Sequence, residues 1–131
     1  MSRAEQLNAD PLPLARHLGI EIVEAERGRV VARLTVTPQL CTAGGILHGG
    51  AFMALADTAG AIGASLNLPE GAGTTTIESK TNFLGGAKVG VVVTAESAPM
   101  HVGRRSSVWQ TRITNPEGKL LALVTQTQLV I

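Results

Sequence analysis

The segment that most constrains this chain runs from Gly49 to Leu66, where Gly49-Gly50 is followed by AFMALADTAGAIGASL. Ala, Gly, Leu, Ile, Met and Phe fill nearly every position, so the segment predicts a helix that is apolar almost all the way round. Such a helix belongs in a core and has to be wrapped. Asp57 stands near its middle, and an ionised carboxylate there is costly to desolvate unless a partner or a solvated site offsets the penalty. A carboxylate retained at that cost is a candidate for chemistry.

The wrapping elements follow from a change of period. Val30, Ala32, Leu34 and Val36 alternate with Val31, Arg33 and Thr35, the two-residue repeat of a half-buried strand. Ile20 to Ala25 reads as its hairpin partner across Glu26-Arg27-Gly28. Beyond the loop at Pro69-Glu70-Gly71, strands are predicted over 74–83, 89–97, 104–114 and 119–131, as a meander of four. Gly85-Gly86, Pro99 to Gly103 and Asn115-Pro116-Glu117-Gly118 are its expected hairpin connections. Residues 1–18 have weak helical spacing broken at Pro11 and Pro13, enough for one or two short helices. The expected class is therefore α+β, with one long central helix in the concave face of a curved antiparallel sheet of five or six strands. Small residues along the helix, among them Ala56, Ala59, Gly60 and Gly63, suit a close approach of helix and sheet backbones. Unpaired sheet edges and uncovered apolar surface predict a homo-oligomer.

At 131 residues and 44% hydrophobic composition the chain is expected to form a single domain over 1–131, with 1–18 as its N-terminal helical segment. A net charge of +1 and an aromatic content of 2% argue against nucleic acid as a partner, since both the cationic surface and the stacking platforms are missing. The apolar stretch from Ile46 to Leu68 is interrupted by His48 and Asp57 and has no flanking basic cluster, which argues against a membrane span. The N-terminus lacks the charged-then-apolar order of a secretory signal, so a cytoplasmic location is the default. Cys41 is the single cysteine and has no partner in the chain for a disulfide. His17, His48 and His101 lack ligand spacing, so no metal site is expected.

Four stretches carry a family resemblance: GGILHGGAFMALADTAG, TTIESKTNFL, HVGRRSS and NPEGKLLALVTQT. Together they resemble the hotdog-fold acyl-CoA thioesterases of the PaaI-like (phenylacetic acid degradation) group and the related HGG-motif 4-hydroxybenzoyl-CoA thioesterases. The likeness extends over about residues 18–131. An HGG tripeptide alone is a weak signal, but HGG with an acid nine residues after its histidine, a Thr-x-Glu-x-Lys strand and a downstream Gly-Arg-Arg is a specific combination. The resemblance implies hydrolysis of an acyl-CoA thioester by a homodimer or dimer of dimers, with coenzyme A as part of the substrate and no separate cofactor. It also assigns roles. The Gly49 N–H polarises the thioester carbonyl, Asp57 is the catalytic acid, Thr76 matches a position that often holds a hydroxyl near that acid, and His48 and Thr42 complete the expected catalytic set. Gly50, Arg104, Arg105 and Phe83 are the expected substrate-binding positions.

The residues support that chemistry independently. If the helix begins at His48-Gly49-Gly50, its first amides lack intrahelical acceptors and face outward at the positive end of the helix dipole. The two glycines let a carbonyl oxygen approach the backbone, which makes the helix start a candidate oxyanion hole. Asp57 then acts either as a nucleophile, forming a mixed anhydride, or as a general base for water. Gly49 and Asp57 are eight residues apart, about 12 Å along a helix. One thioester carbon cannot lie close to both, so the site is expected to form across a two-fold interface.

The chain departs from the family pattern at Thr42, where relatives usually carry Asn or Gln six residues before the histidine. A hydroxyl is shorter and offers one donor, and Gln39 is the nearby substitute. Gly85-Gly86-Ala87 also replaces a frequent proline. Simpler readings compete with several assignments. Asp57 can be satisfied by hydroxyls at a subunit seam, His48 can fix its loop by hydrogen bonding, and the glycines at 49 and 50 can serve a turn. Arg104 and Arg105, as neighbours on a strand, would face opposite sides, and Glu78 and Lys80 can pair with each other. The rival functions are a non-catalytic acyl-CoA binding module and a hydratase. The latter lacks its Asp-x-x-x-x-His spacing, because Ile62 stands five residues after Asp57.

Overall fold

The computed structural model describes residues 1–131. Two short helices, α1 (Arg3–Ala9) and α2 (Pro13–Leu18), precede the hairpin of β1 (Glu21–Glu26) and β2 (Arg29–Thr35). A 3-10 turn at Pro38–Leu40 leads to α3 (Gly49–Ser65), followed by β3 (Thr74–Phe83), β4 (Val92–Val102), β5 (Ser106–Thr114) and β6 (Leu120–Val130). All six strands form one antiparallel sheet in the order β1-β2-β4-β5-β6-β3, and α3 packs against every one of them. The expected long helix in a six-stranded sheet is therefore the observed architecture.

The helix buries Phe52, Leu55, Ile62 and its small residues against strand side chains such as Leu34, Val93, Ile113 and Val124. Gly63 is where the approach is closest. A Cβ there would lie 2.5 Å from Trp109 Cη2, and the Trp109 side chain is fully buried with its Nε1–H donated to Ser107 Oγ at 3.0 Å.

Three local expectations change. The strands after α3 are not a meander of four: β3 pairs with β6 at the far edge, and only β4, β5 and β6 run consecutively. Gly85-Gly86 accordingly lies in a crossing segment rather than a hairpin. The segment is held by Leu84 N–H to the Leu121 carbonyl, Leu47 N–H to the Ala87 carbonyl and Gly90 N–H to the Val36 carbonyl. Second, β4 continues through Pro99, which sits beside a bulge between Pro99 and His101 where a missing N–H is tolerated. The turn is thereby displaced to Gly103–Arg105, so Arg104 and Arg105 are turn residues and the opposite-face argument does not apply to them. Third, Glu78 and Lys80 do not pair. Glu78 accepts from Thr127, its register partner on β6, at 3.0 Å, and Lys80 donates to Asn82 at 3.2 Å.

The outer face of β2 is also more covered than alternation predicts, since Val31 is buried along with Val30 and Ala32. Val31 stands between Glu24 and Glu96 in register, and Arg29, two residues earlier on the same face, bonds both carboxylates. That arrangement raises the Arg29 pKa, chiefly through Glu96. The two sheet edges differ. Asn8 covers β1 by donating to the Ile22 carbonyl at 2.7 Å and accepting its N–H at 2.8 Å. β3 has no neighbour on its outer side and exposes Ile77 there.

Candidate active site

The start of α3 leaves one amide free. His48 is the N-cap in extended conformation, and its Nδ1 accepts the Gly50 N–H at 2.8 Å. The His48 carbonyl takes the N–H groups of Ala51 and Phe52 at 2.9 and 3.3 Å. Gly49 N–H has no acceptor within the chain and stands at the positive end of a 17-residue helix. The expectation that both glycine amides face a ligand is thus narrowed: Gly50 donates to His48, whose own proton is then on Nε2. His48 does fix its loop, as the simpler reading held.

Gly49 lines a groove of about 320 Å³ together with Thr42, Ile46, Phe52, Phe83 and Gly86 among others. The Phe83 ring crosses the helix start so closely that a Cβ on Gly49 would lie 3.1 Å from it, and it stacks edge-on with Phe52 at 6.2 Å. Thr42 belongs to the same groove, while its hydroxyl oxygen accepts the Gly44 N–H at 3.3 Å. Gln39 lies elsewhere, in a groove shared with His48, Gly50 and Leu14.

Two turns further along α3, Asp57 is partly buried in a third groove, of about 310 Å³, with Leu14, Met53, Ala54, Thr76 and Ser79. Its Oδ1 receives two donors, the Thr76 hydroxyl at 2.6 Å and Gln126 Nε2 at 3.1 Å. Gln128 Nε2 donates in turn to Thr76 Oγ1 at 2.6 Å, and Thr74 donates to Gln128 Oε1 at 3.0 Å. No donor in the chain reaches Oδ2. Oδ1 is thus occupied by two donors, while Oδ2 is left without one beside an apolar-walled groove.

The Gly49 and Asp57 grooves have no lining residue in common. Thr76 is brought to Asp57, and Thr42 and Phe83 to Gly49, but the two sets are not brought together within one chain. Arg104 is at neither. It lines a groove of about 660 Å³ with Arg27, Asn67 and Pro69 beyond the C-terminal end of α3, and Arg105 is exposed on the same turn. Gln126 and Gln128 were missed by the sequence reading. The signal was present: both occupy inward positions of β6, continuing Ala122 and Val124, where alternation calls for apolar side chains.

The sequence model of the Thioesterase superfamily matches residues 44–122, from the loop before the HGG motif into β6. The chain belongs to the thioesterase superfamily. The thioesterase is 36% identical over 110 residues to the 1,4-dihydroxy-2-naphthoyl-CoA hydrolase of Listeria monocytogenes, covering 84% of this chain and 89% of that one. It is 34% identical to the acyl-coenzyme A thioesterase PaaI of Escherichia coli, covering 83% and 76%. Among solved structures, a Haemophilus influenzae thioesterase superposes with a TM-score of 0.91 at 33% identity, over 100% of this chain and 92% of that one. The protein is a hotdog-fold thioester hydrolase, and acyl-CoA thioesterase activity is supported at the level of the family. None of its helices is long and apolar enough to cross a membrane.

Proposed function

We propose that the protein hydrolyses an acyl- or aryl-CoA thioester to the free acid and CoA, with Asp57 as the acid and the Gly49 N–H as the oxyanion donor. The observation that carries this reading is Asp57 itself, a carboxylate that lines an open groove and is held by two donors through one oxygen while the other has none. As a nucleophile, that oxygen would attack the acyl carbon and expel CoA as the thiolate, leaving a mixed anhydride for water to cleave. As a general base it would take a proton from water as the water oxygen attacks, the proton finally reaching the CoA thiolate. Both routes use only protein groups and water. Charge developing on the carbonyl oxygen would be met by the one helix-start amide left without an acceptor.

The separation of the two grooves supports a site shared between two copies, with Gly49 from one facing Asp57 from the other. The unpaired β3 edge, which carries Thr76 and Ser79 beside Asp57, is the natural seam. Arg104 and Arg27 give the far groove the charge to hold CoA phosphates. Aryl, phenylacetyl-type and short-to-medium acyl groups all suit the apolar walls.

A panel of such acyl-CoAs assayed by thiol release tests the activity, with Asp57→Asn as its control. Turnover on at least one substrate is expected, falling roughly 10²- to 10⁴-fold in the variant while melting and CoA affinity hold. Binding of acyl-CoA without turnover would favour the non-catalytic module. Near-normal turnover in Asp57→Asn would remove Asp57 from the mechanism.

A further inference from the structure

The inner face of β6 sends an amide into the core beneath Asp57. Gln126 is 1% exposed, yet it makes only one hydrogen bond of those its side chain can form: Nε2 donates to Asp57 Oδ1 at 3.1 Å, and Oε1 is buried without a partner. A residue kept for packing would be apolar here, since a buried, unpaired carbonyl oxygen costs stability that Leu or Met would not. The helix is cut back to admit it. A Cβ on Gly60 would lie 2.6 Å from Gln126 Cδ and Oε1 and 2.7 Å from Nε2.

The second donor to Asp57 is aimed by the neighbouring glutamine. Gln128, also 1% exposed, donates to Thr76 Oγ1 at 2.6 Å, so the single Thr76 hydroxyl proton is left to point at Asp57 Oδ1. Two donors thus converge on one carboxylate oxygen from β3 and β6, and none reaches the other.

We propose that Gln126 is a positioning residue for Asp57: together with Thr76 it pins Oδ1, fixing the carboxylate rotation that turns Oδ2 toward the thioester as the reacting oxygen. The proposal rests on the reading of Asp57 as the catalytic acid. A carboxylate free to rotate would spend much of its time with neither oxygen in line, and misplacement on the ångström scale is costly in rate.

Gln126→Met keeps length and burial but removes the donor. It is expected to lower kcat roughly 10- to 100-fold, with KM changed by less than about twofold. The melting temperature should hold or rise, because the orphaned Oε1 goes too. Gln126→Glu supplies a donor only when its carboxyl is protonated, so its kcat relative to Gln126→Met should climb as the pH is lowered from about 8 to about 5. A purely structural role predicts the opposite set: kcat falling only as the melting temperature falls, and a flat ratio between the two variants. If Asp57→Asn is inactive while Gln126→Met keeps wild-type kcat, this proposal alone is overturned. If Asp57→Asn is itself active, the reading beneath it falls as well.

Discussion

Thr42 is the residue at which this chain differs most pointedly from its resemblance, and its surroundings say what the difference does. It lines the groove around Gly49, but its short side chain turns back to accept the Gly44 N–H and presents no amide to that groove. Gln39, the residue nearest in sequence that could replace the missing amide, lies in a different groove beside His48. Restoring the amide in place should therefore help. Thr42→Asn or Thr42→Gln is expected to raise kcat on the best acyl-CoA several-fold, up to about tenfold, by adding a donor near the carbonyl. Steady-state kinetics check this, and no gain in either variant would mean that another group already serves. The residues that announce themselves in sequence are those whose type conflicts with their setting, as Asp57 does in an apolar helix. Gln126 and Gln128 conflict just as much, but only against a register, and the register of β6 becomes certain only once β5 and β3 flank it.

The helix α3 was legible as an element because its composition needs no partner to be read. Its glycines are another matter, since each one answers to a side chain from a distant strand. Gly63 faces the buried Trp109 ring, whose Nε1–H is tied to Ser107, so the ring cannot easily withdraw. Gly63→Ala should destabilise the protein by about 1–2 kcal/mol in urea or thermal melts, overpacking outweighing the gain in helix propensity. Gly44→Ala, whose Cβ would meet only Thr42 Oγ1 at 3.8 Å, is the control and should stay within about 0.5 kcal/mol. A larger effect at Gly44 than at Gly63 would contradict this account of helix packing. Among strands, the β1–β2 hairpin formed where expected although Val31 is buried out of alternation, while β4 ran on past Pro99 because a bulge absorbs the missing N–H. Turn residues mark where a chain is able to turn; cross-strand pairing with β5 decided where it does.

At the scale of the whole molecule, the two halves of the proposed chemistry line grooves with no residue in common, and under the proposed function the site belongs to a pair of chains. Two differently damaged subunits should then complement. Asp57→Asn removes the acid, and Gly49→Val drives a side chain into the space beside Phe83 and over the free amide. In a mixed dimer one site carries both lesions and the other neither, so random exchange of equal amounts should restore about a quarter of wild-type activity. Verified subunit exchange without recovery would place both groups in one chain's site.

The sequence by itself determined the wrapped helix, the alternating strands around it and the carboxylate that such a helix does not want, because composition and period are local properties of the chain. Only the tertiary structure decided that β3 lies at the far edge beside β6, that Arg104 and Arg105 fall in a turn, and that Gln126 joins the expected Thr76 in holding Asp57. Those outcomes depend on which distant backbone groups pair and which side chains meet across α3, and no local pattern in the sequence encodes a meeting between residues 57 and 126.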